Sequence, residues 1–164
     1  MAAFVIYPDP ALSQVAVARP VDAAMIAMGE ALQAAAAGVE AYGLAAAHIG
    51  HAEPLVVLSL SGQGAARDYR VLFNPVVTAA SDEQVFGPEG SVSMPGIEVP
   101  IERAVWVDVA FDTASGRRET LHLEGFVARV VQHEIDQMNG MFFLSRLSRL
   151  KRDTALRKFH KSQR

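Results

Sequence analysis

The feature that most constrains this chain is the octapeptide from Gln132 to Asn139, Gln-His-Glu-Ile-Asp-Gln-Met-Asn. Residues four apart in a helix lie on the same face, so His133 and the residue at 137 project side by side. The helical pattern His-Glu-x-x-His holds a metal ion between two imidazoles, and its glutamate serves as general base. Here Gln137 occupies the second histidine position. The segment therefore predicts a helix built like a metal site that lacks one of its two imidazoles.

The composition predicts one globular domain spanning residues 1–164. Hydrophobic residues make up 51% of the chain and charged residues 20%, which is ordinary for a soluble protein. No apolar run approaches the roughly 20 residues of a membrane-spanning helix, and the first residues lack the basic segment of a signal peptide. The chain has no cysteine, which excludes disulfides and fits an intracellular protein. We therefore expect a cytoplasmic protein without membrane contact.

Charge is distributed unevenly along the chain. Residues 146–164 contain eight basic side chains and a single acid, Asp153, although the whole chain has a net charge of −3. A basic C-terminal helix on an acidic body favours an anionic partner such as RNA. The alternative is a solvated helix whose cations complement its own dipole.

Helical and extended patterns are both present in the first half of the chain. Asp22 can cap a helix that runs to Val39, because apolar residues recur there at three- and four-residue spacing. Residues 54–60 and 69–73 are apolar runs bounded by turn residues, which is typical of strands. The pair Asn74–Pro75 is expected to end the second of these strands.

The second half predicts a hairpin followed by the motif helix. Residues 103–111 alternate in polarity and predict one strand, which a turn at 112–116 joins to another strand at 118–123. Gly125 is expected to open the motif helix, and Asn139–Gly140 to close it. Strands grouped between helices and joined by hairpins favour an α+β fold with antiparallel sheet.

The motif helix carries an apolar stripe formed by Val127, Val131, Ile135 and Met138, so it is expected to be at least half buried. A buried histidine such as His133 is more often hydrogen-bonded structure than a metal ligand. Glu134 beside it favours a functional site, because burying a carboxylate without a purpose is costly.

Two further segments combine small residues with chemically active ones: Tyr42–His48 and Pro88–Pro95. Together with the motif helix, in this order and spacing, they resemble the peptide deformylase family. That family's pattern is Gly-x-Gly-x-Ala-Ala-x-Gln, then Glu-Gly-Cys-x-Ser, then Gln-His-Glu-x-Asp-His. The similarity covers nearly the whole chain, because further matching segments lie near residues 5–10, 73–75, 125–129 and 139–147.

The resemblance implies a small α+β metalloenzyme that removes the formyl group from the N-terminal methionine of new proteins. In the family, Fe²⁺ or Zn²⁺ is held by the motif cysteine and two histidines, with a water in the open position. The glutamate, here Glu134, acts as general base and acid. The motif glutamine and the backbone N–H after the cysteine position, here that of Val92, stabilise the oxyanion. The substrate-binding residues implied here are Tyr42, Gly43, Phe126 and Val130.

This chain departs from the family pattern where metal and substrate would bind. Ser91 stands at the cysteine position, Gln137 at the second histidine and His48 at the oxyanion glutamine. A hydroxyl and a carboxamide are much weaker ligands than a thiolate and an imidazole. With His133 as the remaining strong ligand, we expect no metal or a weakly bound divalent ion, and the activated water is expected to be lost with it.

The framework residues are retained. By resemblance, Glu89 and Arg103 form an ion pair that supports the loop bearing Ser91. Asp136 is expected to position the motif helix or its ligands.

Three hypotheses follow from this pattern. The chain is a non-catalytic member that binds N-terminal methionine peptides. Alternatively it is an enzyme with altered chemistry, in which His48 and His133 hold a metal with Glu134, or His48 activates Ser91 as a nucleophile. Compatible with either, the basic helix at 146–164 contacts RNA at the ribosome, as such helices do in some family members.

Overall fold

The computed structural model describes residues 3–164, which form three α-helices and seven β-strands. The helices are α1 (Ala23–Gly38), α2 (Gly125–Met138) and α3 (Arg149–Ser162). The strands are β1 (Gly43–Ala45), β2 (Leu55–Ser59), β3 (Tyr69–Ala80), β4 (Gln84–Ser91), β5 (Met94–Ala104), β6 (Trp106–Asp112) and β7 (Arg118–Glu124). Within this part of the chain, no helix has the length and hydropathy needed to cross a membrane.

The strands form two antiparallel sheets. The larger sheet has the order β1-β2-β3-β6-β7, and β4 and β5 make a separate two-stranded hairpin. The motif helix α2 packs its apolar stripe, including Val131 and Ile135, onto the buried face of the larger sheet. This arrangement confirms the predicted α+β fold with antiparallel strands.

The predicted start of α1 and the predicted start and end of the motif helix are confirmed. The Asp22 carboxylate accepts a hydrogen bond from the Met25 N–H at 2.8 Å, which caps α1. The motif helix begins at Gly125, and the residue that follows its C-cap, Gly140, has a φ of 79°. Such a left-handed conformation is typical of a glycine that ends a helix.

Strand β3 is longer than the sequence pattern predicts, because Asn74–Pro75 forms a bulge and does not end the strand. Pairing with β6 shifts register between Phe73 and Val76, and Asn74 has a φ of 49°. The Asn74 amide donates to the Arg19 carbonyl at 2.7 Å and to the Asp112 carboxylate at 2.9 Å. Asparagine tolerates the left-handed conformation, and these bonds hold the bulge in place.

The expected strand at 103–111 is in fact divided between two sheets. Arg103 and Ala104 end β5, whereas Trp106 begins β6. At the division, the Val105 N–H donates to the Ser81 hydroxyl at 2.7 Å.

Two other elements differ from the sequence prediction. Strand β4, which contains glycines and a proline, was not expected from the sequence. The C-terminal helix also begins later than predicted, because residues 143–146 form a 3₁₀ turn and Ser148 caps α3.

Candidate active site

A cavity of about 450 Å³ lies between the β1 segment, the end of β4 and helix α2. Most of the predicted site residues line it: Tyr42, Gly43, His48, Glu89, Ser91, Val92, Phe126, Val130, His133 and Glu134. The fold therefore brings together three segments that are far apart in the sequence. Gln137, Arg103 and Asp136 lie outside this lining and contribute in other ways.

Gly43 allows strand β1 to lie directly against the motif helix. A Cβ atom at this position would be 2.7 Å from Cγ1 of Val130 and 3.1 Å from Cγ of Glu134. Either approach is too close for a side chain unless the neighbouring atoms move. The missing side chain thus sets the distance between the edge of the sheet and Glu134.

His133 is oriented by a buried carboxylate. Its Nδ1 lies 2.8 Å from Oε1 of Glu89, and the two side chains are nearly excluded from solvent. Burial lowers the pKa of His133, but the negative charge of Glu134 and the hydrogen bond to Glu89 outweigh burial and raise this pKa above its ordinary value. Nδ1–H therefore donates to Glu89, which leaves Nε2 as the nitrogen available to a ligand.

Glu89 is stabilised as an anion by several donors at once. Arg103 donates to both carboxylate oxygens at 2.8 Å, and Arg129 donates to Oε2 at 2.7 Å. Although burial opposes ionisation, the hydrogen bonds from Arg103 and His133 lower the pKa of Glu89 to about 2. The expected ion pair between Glu89 and Arg103 is present in the structure.

Asp136 extends this network away from the cavity. Its Oδ2 lies 2.6 Å from the Arg103 guanidinium, and its carboxylate also accepts two bonds from Arg146 at 2.9 and 3.0 Å.

The role of Arg129 was not predicted from the sequence. Besides Glu89, Arg129 donates to the carbonyls of Val85 and Ile101. Its position four residues before His133, on the same helix face, was the signal that could have found it.

Glu134 and His48 form a second buried pair beside the cavity. Glu134 is 5% exposed, and burial raises its pKa to about 7. Burial, together with the charge of His133, lowers the pKa of His48 to about 3, so the ring is neutral. Nδ1 of His48 accepts the Ala45 N–H at 3.0 Å and lies 3.6 Å from Oε1 of Glu134.

The hydrogen bond from Ala45 fixes the tautomer of His48. A neutral imidazole that accepts at Nδ1 carries its proton on Nε2. Within residues 3–164, Nε2 of His48 and Oε1 of Glu134 are buried and have no hydrogen-bond partner. Buried polar atoms without partners are uncommon in folded proteins, so both atoms are available to a bound group.

Ser91 and Gln137 have partners in the backbone. The Ser91 hydroxyl accepts the Ser93 N–H at 3.1 Å, and the Gln137 amide donates to the Leu12 carbonyl at 2.7 Å. Gln137 is 1% exposed. In the described part of the chain His48 and Ser91 share no hydrogen bond, so the proposed base and nucleophile are not paired in this conformation.

One set of residues is grouped closely enough to hold a metal ion. Over residues 3–164, His48, His133 and Glu134 each offer one ligand atom, and these atoms lie within 4.8 Å of one another. This grouping matches the altered metal site considered from the sequence.

The chain matches a known protein family over most of its length. A family model described as polypeptide deformylase matches residues 1–153. The chain belongs to the polypeptide deformylase family. Members of that family use a divalent metal, and His48, His133 and Glu134 form the possible site for one here.

Individual relatives and solved structures support this assignment. A peptide deformylase-like protein of Rhizobium meliloti (strain 1021) is 43% identical over 122 residues, which cover 74% of this chain and 69% of the relative. The peptide deformylase of the same strain is 33% identical over 159 residues, covering 96% and 91%. The crystal structure of peptide deformylase from Ehrlichia chaffeensis superposes with a TM-score of 0.90 at 27% identity, covering 99% of this chain and 97% of that chain.

Proposed function

We propose that this polypeptide deformylase family member binds the N-terminal methionine end of a polypeptide and hydrolyses its formyl group slowly or not at all. The observation that carries the proposal is the commitment of Ser91 and Gln137 to backbone partners. Both stand where the resemblance places metal ligands, and both are weak ligands by their chemistry. Gln137 would have to give up the Leu12 carbonyl before it could turn toward a metal.

The remaining nitrogen and oxygen ligands do not make up for this loss. Nδ1 of His48 accepts the Ala45 N–H and Nε2 carries the proton, so neither nitrogen offers a free lone pair. That leaves Nε2 of His133 and the Glu134 carboxylate. Zinc sites in proteins normally use at least three protein ligands, so the residues present fit a tightly held metal poorly. Without such an ion, the nucleophilic water of the family is not generated.

The peptide-binding half of the proposal rests on the cavity itself. Tyr42 and Phe126 pack edge to face with ring centroids 4.7 Å apart, and both line the cavity together with Val130. Aromatic and aliphatic walls with a few polar groups are typical of a ligand site. The unpartnered Nε2–H of His48 can donate to a carbonyl oxygen, as the glutamine at this position does in the family.

The matching relatives have two different names. Two relatives named peptide deformylase-like, from Rhizobium meliloti and Agrobacterium fabrum, are 43% and 45% identical over 122 and 121 residues. The proteins named peptide deformylase in the same strains are 33% and 32% identical over longer stretches of 159 and 161 residues. Over these stretches the identity is higher to the relatives named peptide deformylase-like.

The test combines metal analysis, activity and binding on one preparation. Purified protein supplied with Zn²⁺ or Fe²⁺ should retain less than one metal per chain by mass spectrometry and should show little turnover of formyl-Met-Ala-Ser. The same peptide should bind by calorimetry. Phe126→Ala should weaken that binding, whereas Val17→Ala, at a residue 76% exposed and outside the cavity lining, should not. Stoichiometric metal together with rapid turnover would contradict the proposal.

The altered metal site is the second candidate, and the grouping of His48, His133 and Glu134 favours it. It requires the His48 ring to reorient so that a nitrogen lone pair is released from Ala45. If this hypothesis is correct, His48→Ala should abolish both metal retention and any activity. If instead the chain binds peptide without a metal, His48→Ala should leave the metal content unchanged at a low level.

We also propose, independently of the site, that the basic helix α3 contacts RNA at the ribosome, which would place the protein in the cytoplasm. Its exposed cations include Arg149, Arg157 and Lys161, whereas Phe159 is buried in the core. Deleting the helix would therefore damage the fold. Reversing the charge of the three exposed residues is the better test, and it should abolish co-sedimentation with ribosomes at low salt. Unchanged co-sedimentation would exclude this contact.

A further inference from the structure

The candidate site continues into two neighbouring depressions on the protein surface. The first, of about 210 Å³, shares Pro88 and Glu98 with the site cavity. The second, of about 430 Å³, lies between the hairpin and helix α3 and shares Glu98, Val99 and Pro100 with the first. The three depressions therefore adjoin one another along the β4–β5 hairpin, from the site toward α3.

The depression between the hairpin and α3 is mainly apolar. Leu150 on α3 is 74% exposed and lines the groove beside the buried Leu147 and Ile97. Phe86 lines the middle depression and is 60% exposed. Large apolar side chains that are exposed together along one depression favour an interaction surface over ordinary solvated surface.

Charged side chains border the groove on both sides. Lys151 and Lys158 border the groove on the helix side, and Glu98 borders it on the hairpin side. The hairpin has two strands among the described residues, so each strand has one edge whose backbone groups are not paired with another strand. Such edges can bind an extended polypeptide through main-chain hydrogen bonds.

We propose that these three depressions form one path for the downstream part of the polypeptide whose N-terminus occupies the candidate site. An apolar side chain of that polypeptide packs against Leu150, and acidic residues next to it are favoured by Lys151 and Lys158. This inference rests on the proposed function, since it takes the peptide's N-terminus to lie in the cavity. An apolar groove with a carboxylate at its rim suits a polypeptide better than a phosphate backbone.

The experiment compares short and long peptides on the intact protein. The short probe is formyl-Met-Ala-Ser, and the long probes extend it to about ten residues with Gly, Ser and Glu. A single Leu is placed at successive downstream positions of the long probes. At the position that reaches the groove, we expect Leu to tighten binding about tenfold over the matched peptide with Ser, as measured by calorimetry.

A surface variant with a matched control tests whether this gain arises in the groove. Leu150→Asp should remove the gain and leave the affinity for the short probe unchanged. Val17→Asp, at a residue that is equally exposed and lines none of the three depressions, should leave both affinities unchanged. If the short probe does not bind, the proposed function itself is wrong. If the short probe binds but no Leu position tightens binding, or the gain survives in Leu150→Asp, the extended path is wrong.

Discussion

Two groups of buried and half-buried polar residues around helix α2 differ in how completely they are hydrogen-bonded. In the supporting group, made of Glu89, Arg103 and Asp136, each charge has at least two partners at 3.0 Å or less. In the cavity group, made of His48 and Glu134, one polar atom of each side chain has no partner among residues 3–164. A buried group without a partner costs free energy, so this contrast separates residues that maintain the fold from residues poised for a ligand.

The comparison also explains how the chain can have a deformylase fold together with the altered site that we propose. Glu89 still orients His133, and Arg103 still joins Glu89 to Asp136 on the motif helix. By resemblance, these contacts involve residues of the family pattern. Ser91 and Gln137, which the resemblance places at ligand positions, have backbone partners and so cost the fold little. The site that we propose is therefore compatible with an intact framework.

The largest expected effect is the recovery of metal binding in the triple variant Ser91→Cys, Gln137→His and His48→Gln. A thiolate and a second imidazole should raise zinc affinity by at least about a thousandfold, because they replace weak ligands with strong ones. Titration with a competing chelator measures this gain, and the formyl-Met-Ala-Ser assay should detect some activity. A folded triple variant that remains metal-free would locate the defect in the supporting group instead.

The next effect is the loss of stability when the supporting group is broken. Arg103→Ala should destabilise the protein by about 3–5 kcal/mol, because it leaves the buried Glu89 carboxylate short of its main counter-ion. Urea unfolding followed by circular dichroism measures the change. Arg146→Ala is the matched control: its side chain is 44% exposed, so the same assay should show a loss of about 1 kcal/mol or less. Equal losses of stability in the two variants would contradict the expectation that the buried Arg103 ion pair contributes more than the exposed Arg146 ion pair.

Glu134 should lower stability at neutral and alkaline pH. Its pKa is raised from 4.5 to about 7 by burial, so between these values the unfolded chain is ionised while the folded protein keeps its proton. Stability from this group is therefore present below pH 4.5 and lost as the pH rises toward 7, by up to about 3 kcal/mol. Glu134→Gln should unfold at a higher urea concentration than the wild type at pH 8, with a smaller difference at pH 4. A constant difference across this range would show that the pKa of Glu134 is the same in the folded and unfolded states.

The smallest effect concerns the distance between β1 and α2. Gly43→Ala should cost about 1–3 kcal/mol, because the new Cβ would meet Val130 and the Val57 carbonyl at 3.0 Å or less. It should also weaken binding of formyl-Met-Ala-Ser by shifting Glu134. Gly62→Ala, where a Cβ would meet no atom within 4 Å, is the control and should change neither property.

Periodicity predicted the elements that carry a strong local signal. Helix α1 and the motif helix were placed within one residue, because Asp22 and Gly140 are local signals for a helix start and end. The pattern failed at Asn74 and at Val105. In both places a distant partner, Asp112 for Asn74 and Ser81 for Val105, stabilises a backbone conformation that the local sequence does not favour.

The sequence predicted which residues line the candidate site, but it did not predict which hydrogen bonds those residues make. The motifs named most of the residues that line the cavity, including His48, Ser91 and Glu134. They could not show that the Gln137 amide bonds to the Leu12 carbonyl, which is 125 positions away in the chain. Nor could they assign Arg129 to Glu89, because that contact depends on how the hairpin packs against α2.

The sequence by itself determined the family, the antiparallel α+β fold and the residues that meet at the site, because ordered motifs and hydrophobic periodicity are local properties of the chain. Only the tertiary structure decided what those residues can do. Whether His48 donates or ligates depends on the Ala45 N–H, and whether Glu134 is charged depends on its burial. Hydrogen-bond partners and desolvation are set by the surroundings of a side chain in the folded protein, which its type alone does not specify.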